Sequence, residues 1–439
     1  MEKLINKIFD INIIKYIYII ISLLYTFPYT SQVTSKYIKF LIILGILLSI
    51  KLIINRSIKI NKYFIIILII NILSIIGVII NYRNNFNMNA INSFYLFFQT
   101  FVMFIYSNKK NDKLINDLYF KTNILVLITF LLSLISLIMV INNTFILINM
   151  NKIDLIITGI YEGRLWGVYG NPNTLANISG ISIYLSLISM QISHDTTYIN
   201  NKKMVLIFNS VNIILQFFCI VFTSSRSTLI AIMVSLFFIL AFWIFTSRFK
   251  KINKIKIIIY GSILTILILL SSIIYVFYGA SFLGRKLKSP DITNGRTAIW
   301  NSSINVIEQN LIFGVGTANV EKMVYPYLKS LDKTAVSGLA SNMHNIFLQL
   351  FISHGLIFII LFIYLILSII YNNLKYYSKS GKKLILIITG LILNIIIYNL
   401  FDSNLLYFFS MFISAIFWYY LSISNNLIYQ DTKKLIFYK

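Results

Sequence analysis

The sequence has little charge, few acids and few residues that bind metals. Only 12% of its 439 residues are charged, and Asp and Glu together number 13, whereas soluble proteins typically carry about 25% charged residues. Cys219 is the one cysteine, which excludes an internal disulfide and a thiol–metal cluster. Three histidines are present, and no DxD, HExxH, CxxC or Walker pattern occurs. The sequence therefore predicts no metal, no cofactor and no use of ATP.

Apolar residues make up 58% of the chain, and its mean hydropathy is +0.82. Runs of about 20 apolar residues predict membrane-spanning helices. The first run lacks a small-residue cleavage site, so we expect it to be a span rather than a signal peptide. The predicted fold class is an all-α polytopic membrane protein with about 12 transmembrane helices, at 13–27, 37–54, 63–81, 88–106, 122–142, 174–192, 204–223, 227–247, 255–279, 345–371, 384–400 and 404–423.

Lysine and arginine are distributed unevenly between the two predicted sides of the bilayer. With the N-terminus in the cytoplasm, the inner segments hold 25 of these residues and the outer segments hold 13, seven of them in one long loop. This positive-inside pattern predicts that both termini are cytoplasmic. The net charge of +25 is then explained by anchoring at the membrane surface, and we expect no binding to nucleic acid.

The longest stretch without a membrane-length apolar run is 280–344, which the topology places outside the cytoplasm and which contains Arg285. We expect the active site here, because irregular backbone needs water or protein partners. The predicted organisation is helices one to five (1–142), an extracytoplasmic loop with helices six to nine (143–279), the large extracytoplasmic loop (280–344), and helices ten to twelve with a cytoplasmic tail (345–439).

A glycine-rich segment before the sixth span, RLWGVYGNPNTLA from Arg164, has the residues to bind an anion. Asn173 or Thr174 is predicted to cap the following helix, whose positive end would face outward. The guanidinium fork of Arg164 matches phosphate oxygens, and Asn171 and Asn173 are further candidate substrate-binding residues. The alternative is a capped loop with an arginine and a tryptophan at the membrane interface.

Two more arginines lie at predicted outer positions. Arg226 occupies a very short turn between apolar runs, where a guanidinium costs free energy, so such an arginine usually has a partner or a function. The alternative is that its side chain snorkels to the lipid head groups. Arg296 and Trp300 are predicted to lie one turn apart on an amphipathic surface helix capped by Thr293 or Asn294. The alternative is a surface helix without a catalytic part. The helix would bury Ile304, Ile307 and Leu311 and end at a turn formed by Gly314 and Gly316.

His344 and Asn345 lie at the predicted mouth of the tenth span. An imidazole titrates near neutral pH and can accept a proton from a hydroxyl; helix capping or an interface position is the alternative. His354 lies about 15 Å deeper along the helix and is expected to be a packed intramembrane residue. His194 is expected in a cytoplasmic loop without a catalytic part. Several arginines with one histidine suit a pyrophosphate-bearing ligand.

These motifs, in this order on a twelve-span chain, resemble the O-antigen ligase and O-antigen polymerase superfamily. The resemblance runs from about Glu162 to Ile360. It implies a GT-C-like membrane glycosyltransferase that works without a metal and inverts the anomeric centre. In one respect the chain departs from the family pattern. Many members have a glutamate just before a glycine after the histidine, where this chain has Ser353-His354-Gly355.

The resemblance also implies a reaction. An acceptor hydroxyl attacks the anomeric carbon of a glycan carried on undecaprenyl pyrophosphate, and undecaprenyl pyrophosphate leaves. His344 would be the general base or would orient the acceptor. Arg296 and Arg226 would stabilise the departing pyrophosphate, and Arg164 would help to bind it. The further substrate-binding candidates are Asn171, Asn173, Trp300, Gly314, Gly316 and Asn345. The implied partners are the lipid-linked oligosaccharide, the bilayer, a flippase and a chain-length regulator.

Three functions remain open at this point, beside a non-catalytic scaffold for which the order of the motifs would be a coincidence. A polymerase of capsule, exopolysaccharide or O-antigen repeat units uses a second lipid-linked unit as acceptor, whereas an O-antigen ligase uses lipid A-core. Heavy use of Ile, Asn, Lys and Tyr is typical of AT-rich genomes, which favours a low-GC Gram-positive source without lipid A-core and hence the polymerase. A flippase for lipid-linked glycans would be expected to show repeats and a charged midplane cavity, and the sequence has no repeat.

Overall fold

The computed structural model describes residues 10–55, 61–105, 111–149, 155–197, 199, 201–246, 295–331, 342–402 and 412–437. The predicted ninth span, Arg285 and the predicted caps Thr293 and Asn294 lie outside these ranges. The described helices are α1 Ile11–Tyr25, α2 Pro28–Ile54, α3 Lys62–Ile80, α4 Phe86–Phe97 with a π-helical turn Phe98–Val102, α5 Asn111–Ile141, α6 Pro172–Asp195, α7 Lys202–Thr223, α8 Arg226–Thr246, α9 Arg296–Gln309, α10 Val320–Leu331 after a 3₁₀ turn Thr317–Asn319, α11 Ile346–Ser380, α12 Lys383–Tyr398 and α13 Phe412–Phe437.

The all-α polytopic membrane class is confirmed. Within the described ranges, seven helices are long and apolar enough to cross a membrane, namely α2, α3, α5, α6, α7, α8 and α11. The shorter apolar helices α1 and α12 match the first and eleventh predicted spans. Helix α4 with its π-helical turn overlaps the fourth predicted span (88–106). Helix α13 overlaps the twelfth predicted span (404–423) from Phe412 but continues to Phe437, where a cytoplasmic tail was predicted.

The loop before α6 contains a small antiparallel sheet, which the all-helical prediction did not include. Its strands are β1 Phe145–Asn149, β2 Leu155–Tyr161 and β3 Arg164–Gly167, in the order β1-β2-β3. The β2–β3 hairpin turns at Glu162 and Gly163, whose φ angles of 49° and 65° are both positive. This is the geometry that matches the twist of the two flanking strands. The sheet places Arg164 directly after the turn.

Helix α6 is the most buried of the candidate spans. Of its most apolar 18 residues 83% are buried, against at most 56% in the other candidate spans. Its neighbours reach it through polar side chains: Asn212 Nδ2 on α7 donates to Ser186 Oγ at 2.8 Å, and Thr129 on α5 bonds to Ser182 at 2.8 Å. Hydrogen bonds of this kind hold helices together where water is absent. The middle of α6 is therefore held by both of its neighbours, α5 and α7.

Helix α11 is broken at Gly355, whose φ of 82° and ψ of −175° are not helical. The break interrupts the helical hydrogen bonds, and the segment after α9 supplies new ones. Val315 N donates to Ile352 O at 2.9 Å, Gly316 N donates to Ser353 O at 3.0 Å, and Leu356 N donates to the carbonyl of residue 311 at 2.8 Å. Backbone groups at membrane depth need such internal partners. The turn is thereby bonded to the interior of α11.

Close packing explains the glycines in this contact. A Cβ on Gly314 would lie 2.5 Å from the carbonyl carbon of Ser353, and a Cβ on Gly316 would lie 2.8 Å from Asn89 Nδ2. Both glycines also have positive φ, at 64° and 80°. Glycine is the residue that accepts such a backbone without strain. The structure thus gives Gly314 and Gly316 a packing role behind α11; their role in substrate binding stays a prediction.

Candidate active site

Arg164 joins three elements at one end of the bundle. Its Nε donates to Thr223 O at the end of α7, at 2.8 Å, and its Nη2 donates to Asn173 Oδ1 in the first turn of α6, also at 2.8 Å. Charge-assisted hydrogen bonds of this length are strong and directional. The guanidinium is therefore fixed in position between the sheet and the two helices.

Asn171 caps helix α6, so the prediction that Asn173 or Thr174 would cap it is wrong. Asn171 Oδ1 accepts from Asn173 N at 2.8 Å and from Thr174 N at 3.3 Å, and Pro172 fills the first helical position. Asparagine at the cap with proline next is a favoured start of a helix. The side chain of Asn173 instead accepts the hydrogen bond from Arg164.

Arg226 and Arg296 begin two different helices and lie close enough for their charges to interact. Ser224, with a φ of 52°, ends α7 in a left-handed conformation, and Arg226 opens α8 two residues later. Arg296 opens α9 directly after Gly295, whose φ is 80°. The two guanidinium charges act on each other electrostatically. Like charges brought together at partial burial repel, and such an arrangement is typical of a site for an anion.

Trp300 links helix α9 to the residue before His344. Its indole Nε1 donates to Met343 O at 2.9 Å. The buried face of α9 is formed by Ile299, Ser302, Ser303, Val306 and Ile307. Of the predicted apolar residues, Ile307 is buried in the protein, whereas Ile304 and Leu311 are both 46% exposed. Trp300 lies against the backbone at the mouth of α11.

His344 has a left-handed backbone, with a φ of 47°. Its amide donates to Asn342 Oδ1 at 2.7 Å, and the next residue, Asn345, caps α11 by accepting from Phe347 N at 2.9 Å and from Leu348 N at 3.2 Å. The alternative in which His344 caps the helix is therefore wrong, because Asn345 does so. A non-glycine residue held in this region costs of order 1–3 kcal/mol and is common at functional sites.

The surroundings of His344 favour its neutral form. Burial lowers the pKa of the imidazole below its ordinary value, the carboxylate of Asp402 opposes this by raising the pKa, and the charge of Arg296 lowers it. The net direction is downward. At neutral pH the imidazole is therefore unprotonated and able to accept a proton.

Asp402 and Tyr398 belong to the same cluster, and sequence reasoning assigned no role to either. Tyr398 OH donates to Asp402 Oδ2 at 2.7 Å. The same stretch of chain is bonded to the start of α11, where Ile346 N donates to Asn399 O at 2.9 Å. The charges of Arg296 and Arg164 both act on the Tyr398 hydroxyl. The signal available in the sequence was one acid in the short segment between the last two apolar runs.

The site therefore collects side chains from five elements at one end of the bundle: Arg164, Arg226, Arg296, His344, Tyr398 and Asp402. Among the residues that the structure describes, no three His, Cys, Asp or Glu side chains come together in a way that could hold a metal ion. The other two histidines lie elsewhere. The His354 ring is buried and stacks on Phe358 with centroids 4.3 Å apart, and His194 ends α6 at the opposite side, beside Asp195.

The family comparison agrees with the resemblance drawn from the motifs. Residues 211–363 match the family model described as O-Antigen ligase. The matched segment, about a third of the chain, contains Arg226, Arg296 and His344, whereas Arg164 and Asp402 lie outside it. Over this segment the match supports the resemblance to the O-antigen ligase and polymerase superfamily. No curated protein matches the chain significantly.

Proposed function

We propose that this membrane protein, whose residues 211–363 form an O-antigen ligase family domain, is a glycosyltransferase that polymerises lipid-linked oligosaccharide repeat units. The donor would be a glycan on undecaprenyl pyrophosphate. The acceptor would be a second lipid-linked unit, as in the synthesis of capsule, exopolysaccharide or O-antigen. The proposal is carried by one observation: the neutral imidazole of His344 lies within electrostatic reach of Arg296 and Asp402, and Arg226 and Arg164 belong to the same cluster through Arg296 and Tyr398.

Each group of the site has a task in this reaction. The imidazole of His344 accepts the proton of the acceptor hydroxyl as its oxygen bonds to the anomeric carbon. The bond from that carbon to the pyrophosphate oxygen breaks, and the leaving group departs with the electron pair. Arg226 and Arg296 stabilise the negative charge that grows on the pyrophosphate, and Arg164 supports its binding. Asp402 stabilises the imidazolium that His344 becomes.

The alternative acceptor is lipid A-core, which would make the protein an O-antigen ligase. Both reactions use the same donor and the same leaving group, so they need the same arginines and the same base. The Ile-, Asn-, Lys- and Tyr-rich composition favours the polymerase. A flippase is the third candidate. It is less favoured, because the charged residues of this site converge at one end of the bundle rather than along a path through it.

We also propose that the protein resides in the cytoplasmic membrane with both termini inside and with the site on the outer face. Successive helices cross the bundle in opposite directions, and the set of helix ends at the site supports this arrangement. The N-terminal ends of α6, α8 and α11 and the C-terminal ends of α7 and α12 meet at the site. The opposite ends of these helices carry the lysine-rich segments that are expected at the cytoplasmic face.

The test is a reconstitution of the purified full chain with an undecaprenyl-pyrophosphate oligosaccharide as donor. We expect long glycan and released undecaprenyl pyrophosphate from the wild-type protein, and a loss of both by at least about 100-fold in His344→Ala and in Arg296→Ala. His194→Ala is the matched control, since it removes a histidine at the far end of the bundle. Membrane-inserted His344→Ala protein with wild-type turnover would refute the catalytic assignment.

The same assay distinguishes the two candidate acceptors, the lipid-linked repeat unit and lipid A-core. One arm contains the lipid-linked repeat unit alone, and a second arm adds lipid A-core. Chain growth in the first arm supports the polymerase. Transfer in the second arm without chain growth in the first supports the ligase. Movement of the intact donor across the bilayer without any glycosidic bond formation would indicate the flippase.

A further inference from the structure

A cavity lies at the end of the bundle opposite the candidate active site. It has a volume of about 310 Å³ and is lined by residues of α3, α11 and α13. Two lysines, two tyrosines, three asparagines and two isoleucines line it, among them Lys375, Lys379, Tyr376, Asn373, Ile369 and Ile428. Polar side chains beside apolar ones are typical of a site for a small ligand.

The cavity lies at the depth of lipid head groups. After its break at Gly355, helix α11 runs about 25 Å to Asn372 at 1.5 Å per residue. Lys375, Lys379, Lys382 and Lys383 follow, and such a lysine cluster is typical of the head-group region, here on the side opposite the candidate active site. A lipid of the leaflet opposite the active site could therefore present its head group at this position.

The lining of the cavity is positively charged. Lys375 and Lys379 are one helical turn apart on α11, so both ammonium groups can approach one ligand. No carboxylate is among the lining residues. The neighbouring Asp431 is already engaged, since Lys382 Nζ lies 2.5 Å from its Oδ2 and Tyr376 OH donates to the same oxygen. The cavity therefore attracts an anion.

The side chain of Asn373, which lines the cavity, has an amide oxygen that can accept a hydrogen bond from a ligand. Asn373 is 1% exposed, and its Nδ2 donates to Thr389 Oγ1 at 3.2 Å. Its Oδ1 accepts no hydrogen bond from any residue that the structure describes. A buried carbonyl oxygen without a donor destabilises the fold. A ligand hydroxyl in the cavity would supply the donor that this oxygen lacks.

We propose that this cavity binds a phosphate group carried on a polyol, such as the glycerol phosphate head group of an anionic phospholipid. Lys375 and Lys379 bind the phosphate oxygens, and Asn373 Oδ1 accepts a hydrogen bond from a glycerol hydroxyl. Ile369 and Ile428, which also line the cavity, pack against the carbon skeleton. This site is separate from the proposed transferase site and does not depend on its assignment.

The experiment measures lipid binding to the delipidated full-length protein in detergent by native mass spectrometry. The probes are phosphatidylglycerol, phosphatidylcholine and soluble glycerol 3-phosphate. We expect Lys375→Gln with Lys379→Gln to weaken phosphatidylglycerol binding by about 30-fold, from the attraction that two lysines contribute near a membrane surface. The matched control is Lys202→Gln with Lys203→Gln, which removes the same charge from exposed residues outside the cavity. We expect this control to bind like the wild type.

Three outcomes separate the possibilities. Preferential binding of phosphatidylglycerol that depends on Lys375 and Lys379 supports a lipid head group as the ligand. Glycerol 3-phosphate binding as tightly as phosphatidylglycerol, with the same lysine dependence, supports the phosphate site with a soluble ligand. Equal binding of phosphatidylcholine, or an equal loss in the two double variants, overturns the proposal, because the attraction would then come from the surface charge as a whole.

Discussion

Replacing Asp402 by asparagine tests the electrostatic reasoning at the active site with little change in shape. The carboxylate raises the pKa of His344 against the lowering effects of burial and of Arg296. Without this charge the imidazole is a weaker base, and the imidazolium that forms in the transition state loses a stabilising partner. We therefore expect Asp402→Asn to slow the reaction and to lower the pKa of His344 further.

The size of the effect follows from the surroundings of the carboxylate. An opposite charge nearby shifts a pKa by about 1–3 units, and one unit corresponds to about 1.36 kcal/mol. Asp402 also accepts a hydrogen bond from Tyr398 at 2.7 Å, and this bond withdraws part of its charge from His344. The lower half of the range applies, and we expect turnover at neutral pH to fall by about 10- to 100-fold.

The assay is the pH dependence of kcat/KM for glycan synthesis. The base must be neutral, so activity is present above the pKa of His344 and is lost as the pH falls through it. That pKa lies below its ordinary value of 6.5, so the wild-type protein stays active at pH 6.5, and Asp402→Asn moves the acid limb to lower pH. The control variant Glu308→Gln, which changes an exposed residue of α9, should leave the acid limb at its wild-type pH. An acid limb that is unchanged or raised in Asp402→Asn would refute the coupling.

Three further predictions concern the scaffold of the site. Trp300→Phe removes the hydrogen bond to Met343 O, and we expect a loss of about 1 kcal/mol in the free energy of unfolding with a lower kcat at unchanged membrane insertion. Gly355→Ala places a Cβ 2.0 Å from a backbone oxygen, whereas Gly381 has a similar φ of 69° and open space. We therefore expect a loss of more than about 4 kcal/mol for Gly355→Ala but about 1 kcal/mol for Gly381→Ala, and equal melting temperatures would contradict this. Asn171→Ala removes the cap of α6 and should cost about 0.5–2 kcal/mol, measured by thermal unfolding in detergent.

The apolar runs predicted the helices well, because a spanning helix must satisfy its backbone internally and face lipid with apolar side chains. The low polarity of the bilayer made Arg226 conspicuous, since a charged guanidinium in so short a turn costs free energy unless it is paired. The sheet before α6 was missed because its strands, such as FILIN and LIITGIY, are as apolar as a piece of a helix. Short apolar runs do not distinguish the two structures by periodicity.

Other features depend on contacts between distant parts of the chain. Asn171 and Asn173 are equally good caps by residue type; Pro172 at the first helical position favours Asn171, and the hydrogen bond from Arg164 occupies the side chain of Asn173. Asp402 lies far from His344 along the chain, so its proximity emerges only when α11 and α12 pack together. The break in α11 was not predicted either, because Gly355 becomes exceptional through its approach to the carbonyl of Ile312.

The hydrogen bonds between the turn at Gly314 to Gly316 and the broken helix α11 have a consequence for biogenesis. In lipid alone, the carbonyls of Ile352 and Ser353 would have no donors, at a cost of several kcal/mol each. The segment that supplies their donors precedes α11 in the chain and is synthesised first. The donors for these two carbonyls are therefore already synthesised when α11 enters the bilayer. If the segment followed α11 in the chain, both carbonyls would lack donors until the segment had been made.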